Sequence, residues 1–163
     1  MIIAVLSDIH DNIWNLEKAL SQVQAAEVLL CCGDLCSPFT LKMLAEGFAG
    51  PVHVVFGNND GDVALMYAVA AQAGNITFHR PIAQLELGGK HVAVAHYPEL
   101  GEALALCGKY DAVFSGHNHT ADVTRLGTAL WANPGEVMGR FGKPSLGLYD
   151  TQTGEFEIHY LQA

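Results

Sequence analysis

Positive charge is scarce in this chain. Eight Lys and Arg stand against 17 Asp and Glu over 163 residues, a formal net charge of −9 with histidine neutral. Phosphate backbones and anionic membranes attract proteins through clustered cations, so neither non-specific nucleic-acid binding nor membrane association is expected. A bound divalent cation can still reverse the sign of the field inside a cleft. Long apolar runs are missing too. None approaches the roughly 20 residues that cross a bilayer, and Met1 leads into IIAVLSD with neither a basic leader nor a cleavage site, so a cytoplasmic location is expected. Cysteine is sparse: Cys31 and Cys32 share an apolar run whose alternation sends them to opposite faces, and Cys32 and Cys36 lack the second pair of a thiolate metal site. Reduced core thiols follow from this, with Cys107 as the fourth. No repeat, low-complexity tract or linker divides the sequence, and residues 1–163 read as one domain.

Half of the residues are hydrophobic and 15% are charged, the balance of a compact folded chain rather than a disordered one. IIAVLS is a continuous apolar run of the kind presented by a strand covered on both faces. Ile13, Leu16, Ala19, Leu20 and Val23 then recur at helical spacing, with Asp11 or Asn12 placed to cap the first turn. EVLLCC, a helix from Pro38 to Phe48, and PVHVVF repeat the pattern and give βαβαβ. Gly61 to Ala73 is free of breakers and predicts a third helix, with Asp60 or Asp62 near its start. ITFH, IAQLEL and HVAVAH read as strands, the last two joined by Gly88-Gly89, a hairpin signal. A short helix over Glu99 to Cys107 and the strand DAVF come next. TADVTRL, TALWAN, SLGLYD and EFEIHY then read as antiparallel strands that close the fold.

The ends of the apolar runs share one chemistry. IIAVLS ends in Asp8 and His10, EVLLCC in Gly33-Asp34, PVHVVF in Gly57-Asn58, HVAVA in His96, and DAVFS in Gly116, His117 and His119. Parallel strands bring their carboxyl ends to one edge of a sheet, so these groups can converge. Taken singly, Asp and Asn after a strand are ordinary turn and cap residues. Turns have no special use for imidazole, however, and four of the eight histidines fall at these ends. His53, His79, His91 and His159 lie in or beside strands and read as structural. Seven donors, Asp8, His10, Asp34, Asn58, His96, His117 and His119, exceed the needs of one tetrahedral ion and are generous for one octahedral ion that must keep water. They imply two ions about 3.5–4 Å apart, with Asp34 the candidate to bridge them. Oxygen and nitrogen ligation without thiolate favours divalent Mn, Fe, Zn or Ni over Ca or Mg.

DxH at Asp8 and His10, GD at Gly33-Asp34, GN at Gly57-Asn58, His96, and GHxH from Gly116 to His119 stand in the order of the calcineurin-like metallophosphoesterases, which the chain resembles. Asn133 to Glu136, NPGE, looks like the NPGS-type turn of the small single-domain bacterial and archaeal phosphodiesterases in that superfamily. The resemblance implies an α/β fold, a four-layer α-β-β-α sandwich with two mixed sheets. It places Asp8, His10 and His119 on one ion, Asn58, His96 and His117 on the other, and Asp34 between them. Asp34, Asn58, His96 and His117 become the catalytic residues. The implied activity is phosphoester hydrolysis by a metal-bridging hydroxide, on diesters and with two Mn²⁺ or Ni²⁺ ions.

Two departures bear on this. Asn59 stands where larger members carry a histidine that protonates the leaving group, and Tyr97-Pro98 follows His96 where relatives carry HGH or HGG. Asp60 is retained and also suits a helix cap, and Asp11 replaces a glycine and either faces the cleft or caps a helix. Arg140 and Lys143 read as substrate contacts or as solvated charges. The competing function is a non-catalytic scaffold of the same fold, as in the retromer subunit. The partner in the leading reading is a small phosphate ester, and assembly into a homo-oligomer is left open.

Overall fold

The computed structural model describes residues 1–162. The chain begins with β1 (Ile2–Leu6), α1 (Ile13–Gln22), β2 (Val28–Cys31), α2 (Pro38–Gly47), β3 (Val52–Val55), α3 (Val63–Ala73) and β4 (Ile76–His79). These four strands pair in parallel in chain order. The second half runs β5 (Ala83–Leu87), β6 (Lys90–Val94), α4 (Pro98–Leu106), β7 (Ala112–Phe114), β8 (Asp122–Leu126), β9 (Ala129–Asn133), β10 (Ser145–Asp150) and β11 (Glu155–Tyr160). Two mixed sheets result, one ordered β11-β10-β1-β2-β3-β4 and the other β5-β6-β7-β9-β8.

Alternation along the strands builds the layers. In β1, Ala4 and Leu6 face α1–α3, packing with Leu16, Leu20, Leu41, Leu44 and Met66. Ile3 and Val5 face the other way, onto Val92, Val94 and Phe114 of the second sheet. The outer face of that second sheet is covered by α4 through Ala93, Val113, Ala129 and Ala105. Helices, sheet, sheet and helix form the α-β-β-α sandwich that the family resemblance implies. Cys31 and Cys32 obey the same alternation, one in each core, and burial pushes the Cys31 thiol up to about 12. All four cysteines are free.

Local chemistry sets the boundaries. Asn12 rather than Asp11 caps α1, accepting from Asn15 N at 3.1 Å. Asp11 turns away to the start of α2, where it accepts from Ser37 N, Ser37 Oγ and Thr40 Oγ1. Asp62 rather than Asp60 caps α3, so the helix starts two residues later than the alanine-rich run suggests. Gly88 and Gly89 both have positive φ, as the tight β5–β6 hairpin requires. The last four strands divide between the sheets: β8 and β9 pair in one, β10 and β11 in the other.

Candidate metal centre

Five of the seven sequence-predicted donors, Asp8, His10, Asp34, His117 and His119, sit in left-handed backbone, with φ between 45° and 71°. Such conformations are costly for residues with a Cβ and gather where side chains must be aimed against the local preference of the chain. Space is equally tight between the loops. A Cβ on Gly57 would overlap Asp34 Oδ1, and one on Gly116 would overlap Ser7 Oγ.

The side chains meet in two groups. In the first, Asp8 Oδ1 lies 3.8 Å from His10 Nε2 and 3.5 Å from His119 Nε2. In the second, His96 Nε2 lies 3.5 Å from Asp34 Oδ2, 3.1 Å from Asn58 Oδ1 and 3.2 Å from His117 Nδ1. Asp34 Oδ2 is also 3.5 Å from His10 Nε2, so this one carboxylate oxygen stands between the groups. Donors about 2.1 Å from a shared ion are separated by about 3.0 Å in an octahedron and 3.4 Å in a tetrahedron. The observed spacings, 3.1 to 3.8 Å, begin near the octahedral value and run somewhat beyond the tetrahedral one.

Hydrogen bonds on the far side of each ring decide what faces inward. His96 Nδ1 sits 2.7 Å from the Cys32 carbonyl, so a proton is held there and the Nε2 lone pair is left to face inward. That lone pair meets Asn58 Oδ1 and Asp34 Oδ2, which also accept. His119 Nδ1 is held by Glu136 Oε2 at 2.8 Å, with the same consequence for its Nε2. Asp8 Oδ1 and His10 Nε2, both buried, have no hydrogen-bond partner. Such a gathering of acceptors suits a cation, and each of the two groups could hold a metal ion.

Charge at the first group is tuned by the same contacts. Burial pushes the Asp8 carboxyl up, but the nearby His10, the hydrogen bond from Ser7, and His119 and His96 outweigh it and leave it below its ordinary value. His10 is raised, chiefly by its contact with Asp8. Burial likewise opposes ionisation of Glu136, and His119 together with the Gly142, Phe141 and Arg140 amides overcomes it.

A calcineurin-like phosphoesterase superfamily domain matches residues 1–154, including every donor in the two groups. The chain belongs to that superfamily. Its members' chemistry makes it a hydrolase of phosphoester bonds. It is 27% identical over 161 residues to Phosphodiesterase MJ0936 of Methanocaldococcus jannaschii, covering 96% of both chains. A solved archaeal phosphodiesterase superposes with a TM-score of 0.91 at 26% identity, over 99% of this chain and all of the other. Vps29 of Entamoeba histolytica, solved with zinc, shares the fold at 20% identity and a TM-score of 0.69, over 97% of this chain and 90% of its own.

Several supporting residues of this superfamily member escape a reading of the sequence. Asn59 donates through its backbone N to Asp34 Oδ1 at 2.8 Å and through Nδ2 to Asp34 Oδ2 at 2.7 Å. Asp60 is a brace between loops, accepting from the amides of Gly57, Asp34 and Cys36 at 2.7, 3.1 and 2.8 Å. Ser7 donates to Asp8 Oδ2 at 2.6 Å. Glu136, fully buried, accepts from the Phe141 and Gly142 amides at 2.6 Å each while it holds His119. Only a motif-level comparison draws attention to NPGE, and nothing in the sequence pairs its glutamate with a histidine 17 residues earlier. The Asn133 side chain, in the same motif, ties Gly116 O and Asn118 Oδ1. His53, His79, His91 and His159 join neither group.

Proposed function

We propose that the chain is a metal-dependent phosphodiesterase with a dinuclear centre, acting as one domain over residues 1–163 on small phosphate esters. Asp8, His10 and His119 would hold one ion and Asn58, His96 and His117 the other, with Asp34 standing within reach of both groups. The mixed nitrogen and oxygen donors suit borderline divalent metals, and the resemblance to the family puts Mn²⁺ first among Mn²⁺, Ni²⁺, Fe²⁺ and Zn²⁺. One observation carries the reading: lone pairs from two sets of side chains converge on the two sides of Asp34 Oδ2, with two buried atoms left without any partner. The free cysteines support a reducing, cytoplasmic setting.

When bound, such ions supply Lewis acidity toward phosphoryl oxygens and lower the pKa of a coordinated water. The chain's own residues orient and brace. Asn59 fixes the Asp34 carboxylate and cannot act as an acid. Asp60 is committed to three amides. Neither protonates a departing alkoxide, which favours substrates whose leaving groups need little help. The similarity to an archaeal phosphodiesterase over nearly the full length supports diesters over monoesters.

Purified protein given Mn²⁺ and bis(p-nitrophenyl) phosphate releases nitrophenolate under this reading, and His117→Ala abolishes release while leaving the far-UV circular dichroism unchanged. Protein that binds two ions yet hydrolyses no diester, monoester or dinucleotide would instead be a scaffold. Full turnover by His117→Ala would refute the ligand assignment.

A further inference from the structure

Two recesses flank the candidate metal centre. One, of about 230 Å³, opens beside His96 and Gly57, walled by Phe56, Tyr97 and Leu100 with Arg80 at its side. The other, wider at about 500 Å³, opens beside His10 and is lined by Trp14, Met138 and Arg140. They share no lining residue, and each meets a different donor group. Sites for whole drug-sized ligands run from about 300 to 1,000 Å³. The smaller recess falls below that range and the larger in its lower half, so each has room for at least a ring system.

Their composition is unusual for this surface. The chain has three arginines, and two of them line these recesses in a protein of net charge −9. Among the described residues neither makes an ion pair. The Arg80 guanidinium lies over the Phe56 ring, 4.7 Å from its centroid. The third, Arg125, donates to Gly154 O. Each recess also offers an exposed aromatic face. Tyr97 is 42% exposed and meets His117 edge-on at 4.9 Å, and Trp14 is 70% exposed. Flat rings with nothing stacked on them, next to guanidinium groups without anionic partners, match a ligand that carries both rings and anionic charge.

We infer that the two recesses seat the two ester arms of the substrate, a phosphodiester with a flat ring on each arm and a further anionic group within reach of Arg80 or Arg140. That is the chemistry of a short oligonucleotide, of which a 5′-phosphorylated dinucleotide is the smallest complete example. Its internal phosphate lies at the centre, one base enters each recess, and the terminal phosphate meets an arginine. Hydrolysis adds water across one P–O bond, leaving a phosphomonoester on one arm and an alcohol on the other. The inference rests on the phosphodiesterase reading and refines it.

Methyl p-nitrophenyl phosphate and phenyl p-nitrophenyl phosphate release the same nitrophenolate and differ only in the retained arm. The Mn²⁺-loaded protein should show a kcat/KM for the phenyl ester higher by about tenfold or more, the discrimination that an apolar pocket gives a ring over a methyl. The dinucleotides pTpT and TpT test the arginines. The phosphorylated form should be preferred by about tenfold, and Arg80→Met or Arg140→Met should erase the preference, while Arg125→Met retains it. Equal rates for the methyl and phenyl esters, or a pTpT preference that survives both arginine variants, overturns this inference while leaving the diesterase reading standing. Failure to hydrolyse any of the four diesters overturns both.

Discussion

Replacing Glu136 by Gln exchanges one oxygen for an NH₂ group at a fully buried position and keeps the shape. One carboxylate oxygen accepts from the Phe141 and Gly142 amides at 2.6 Å, and the other faces His119 Nδ1 at 2.8 Å. The amide can satisfy only one side. If its oxygen stays on the loop amides, its NH₂ points at His119 Nδ1, which must then accept. The imidazole proton moves to Nε2, the atom that faces Asp8 Oδ1 at 3.5 Å. If the amide rotates, His119 is kept as it was, but two loop amides confront an NH₂ and lose their acceptor. Each unsatisfied buried donor costs about 1–3 kcal/mol, so the first arrangement is the cheaper one. Loss of the group that orients a metal-bound histidine typically weakens binding about 10–100-fold. Calorimetric titration of metal-free Glu136→Gln with Mn²⁺ should therefore show one of two sites weakened by that factor and the other retained. Thermal stability of the metal-free variant should stay near that of the parent. Glu136→Asp, which keeps the charge, should recover part of the affinity. Two sites of unchanged affinity in Glu136→Gln would refute the argument that this carboxylate sets the tautomer of His119.

Gly116→Ala should destabilise the protein by about 1–3 kcal/mol, as overpacking does, because the new Cβ overlaps Ser7 Oγ and comes within 2.7 Å of Asp8 Oδ2. Chemical denaturation measures it, and a loss below a few tenths of a kcal/mol would show that the loop yields freely. His53 and His79 meet at 3.0 Å between Nδ1 and Nε2. Burial holds both below the ordinary value of 6.5, with His79 adding to the shift at His53. With folded values below unfolded ones, the unfolded chain takes up more protons, so stability is intact above 6.5 and is lost as pH falls through the folded values. The melting temperature of His53→Gln should fall less than that of the parent between neutral pH and pH values below 6.5, and parallel curves would show that the pair does not titrate on unfolding.

Most of the architecture is legible in residue order because strands and helices announce themselves by period. The run IIAVLS, the helical recurrence from Ile13 to Val23 and the Gly88-Gly89 turn each reflect a local requirement of backbone and burial. The seven donors are legible for a related reason: histidine, aspartate and asparagine after buried strands are dear to place without a use, and parallel strands carry them to a common edge. Sheet membership is different. SLGLYD and EFEIHY pair beside β1, whereas TADVTRL and TALWAN close the other sheet, a choice made by which exposed edge each hairpin can reach and not by its own composition.

The sequence by itself determined the layered α/β plan, the superfamily and the identity of the converging donors, since each follows from local periodicity or from an ordered set of motifs. Tertiary structure alone decided which way the rings face. His96 is aimed by the carbonyl of Cys32, 64 positions away, His119 by Glu136, and Asp34 by Asn59. It also decided that Asp60 braces loops while Asp62 caps a helix, and that Asp11, at the edge of the wider recess, is held by the start of α2. A polar side chain has several possible partners within reach of its backbone position. Only the packing of distant segments removes all but one.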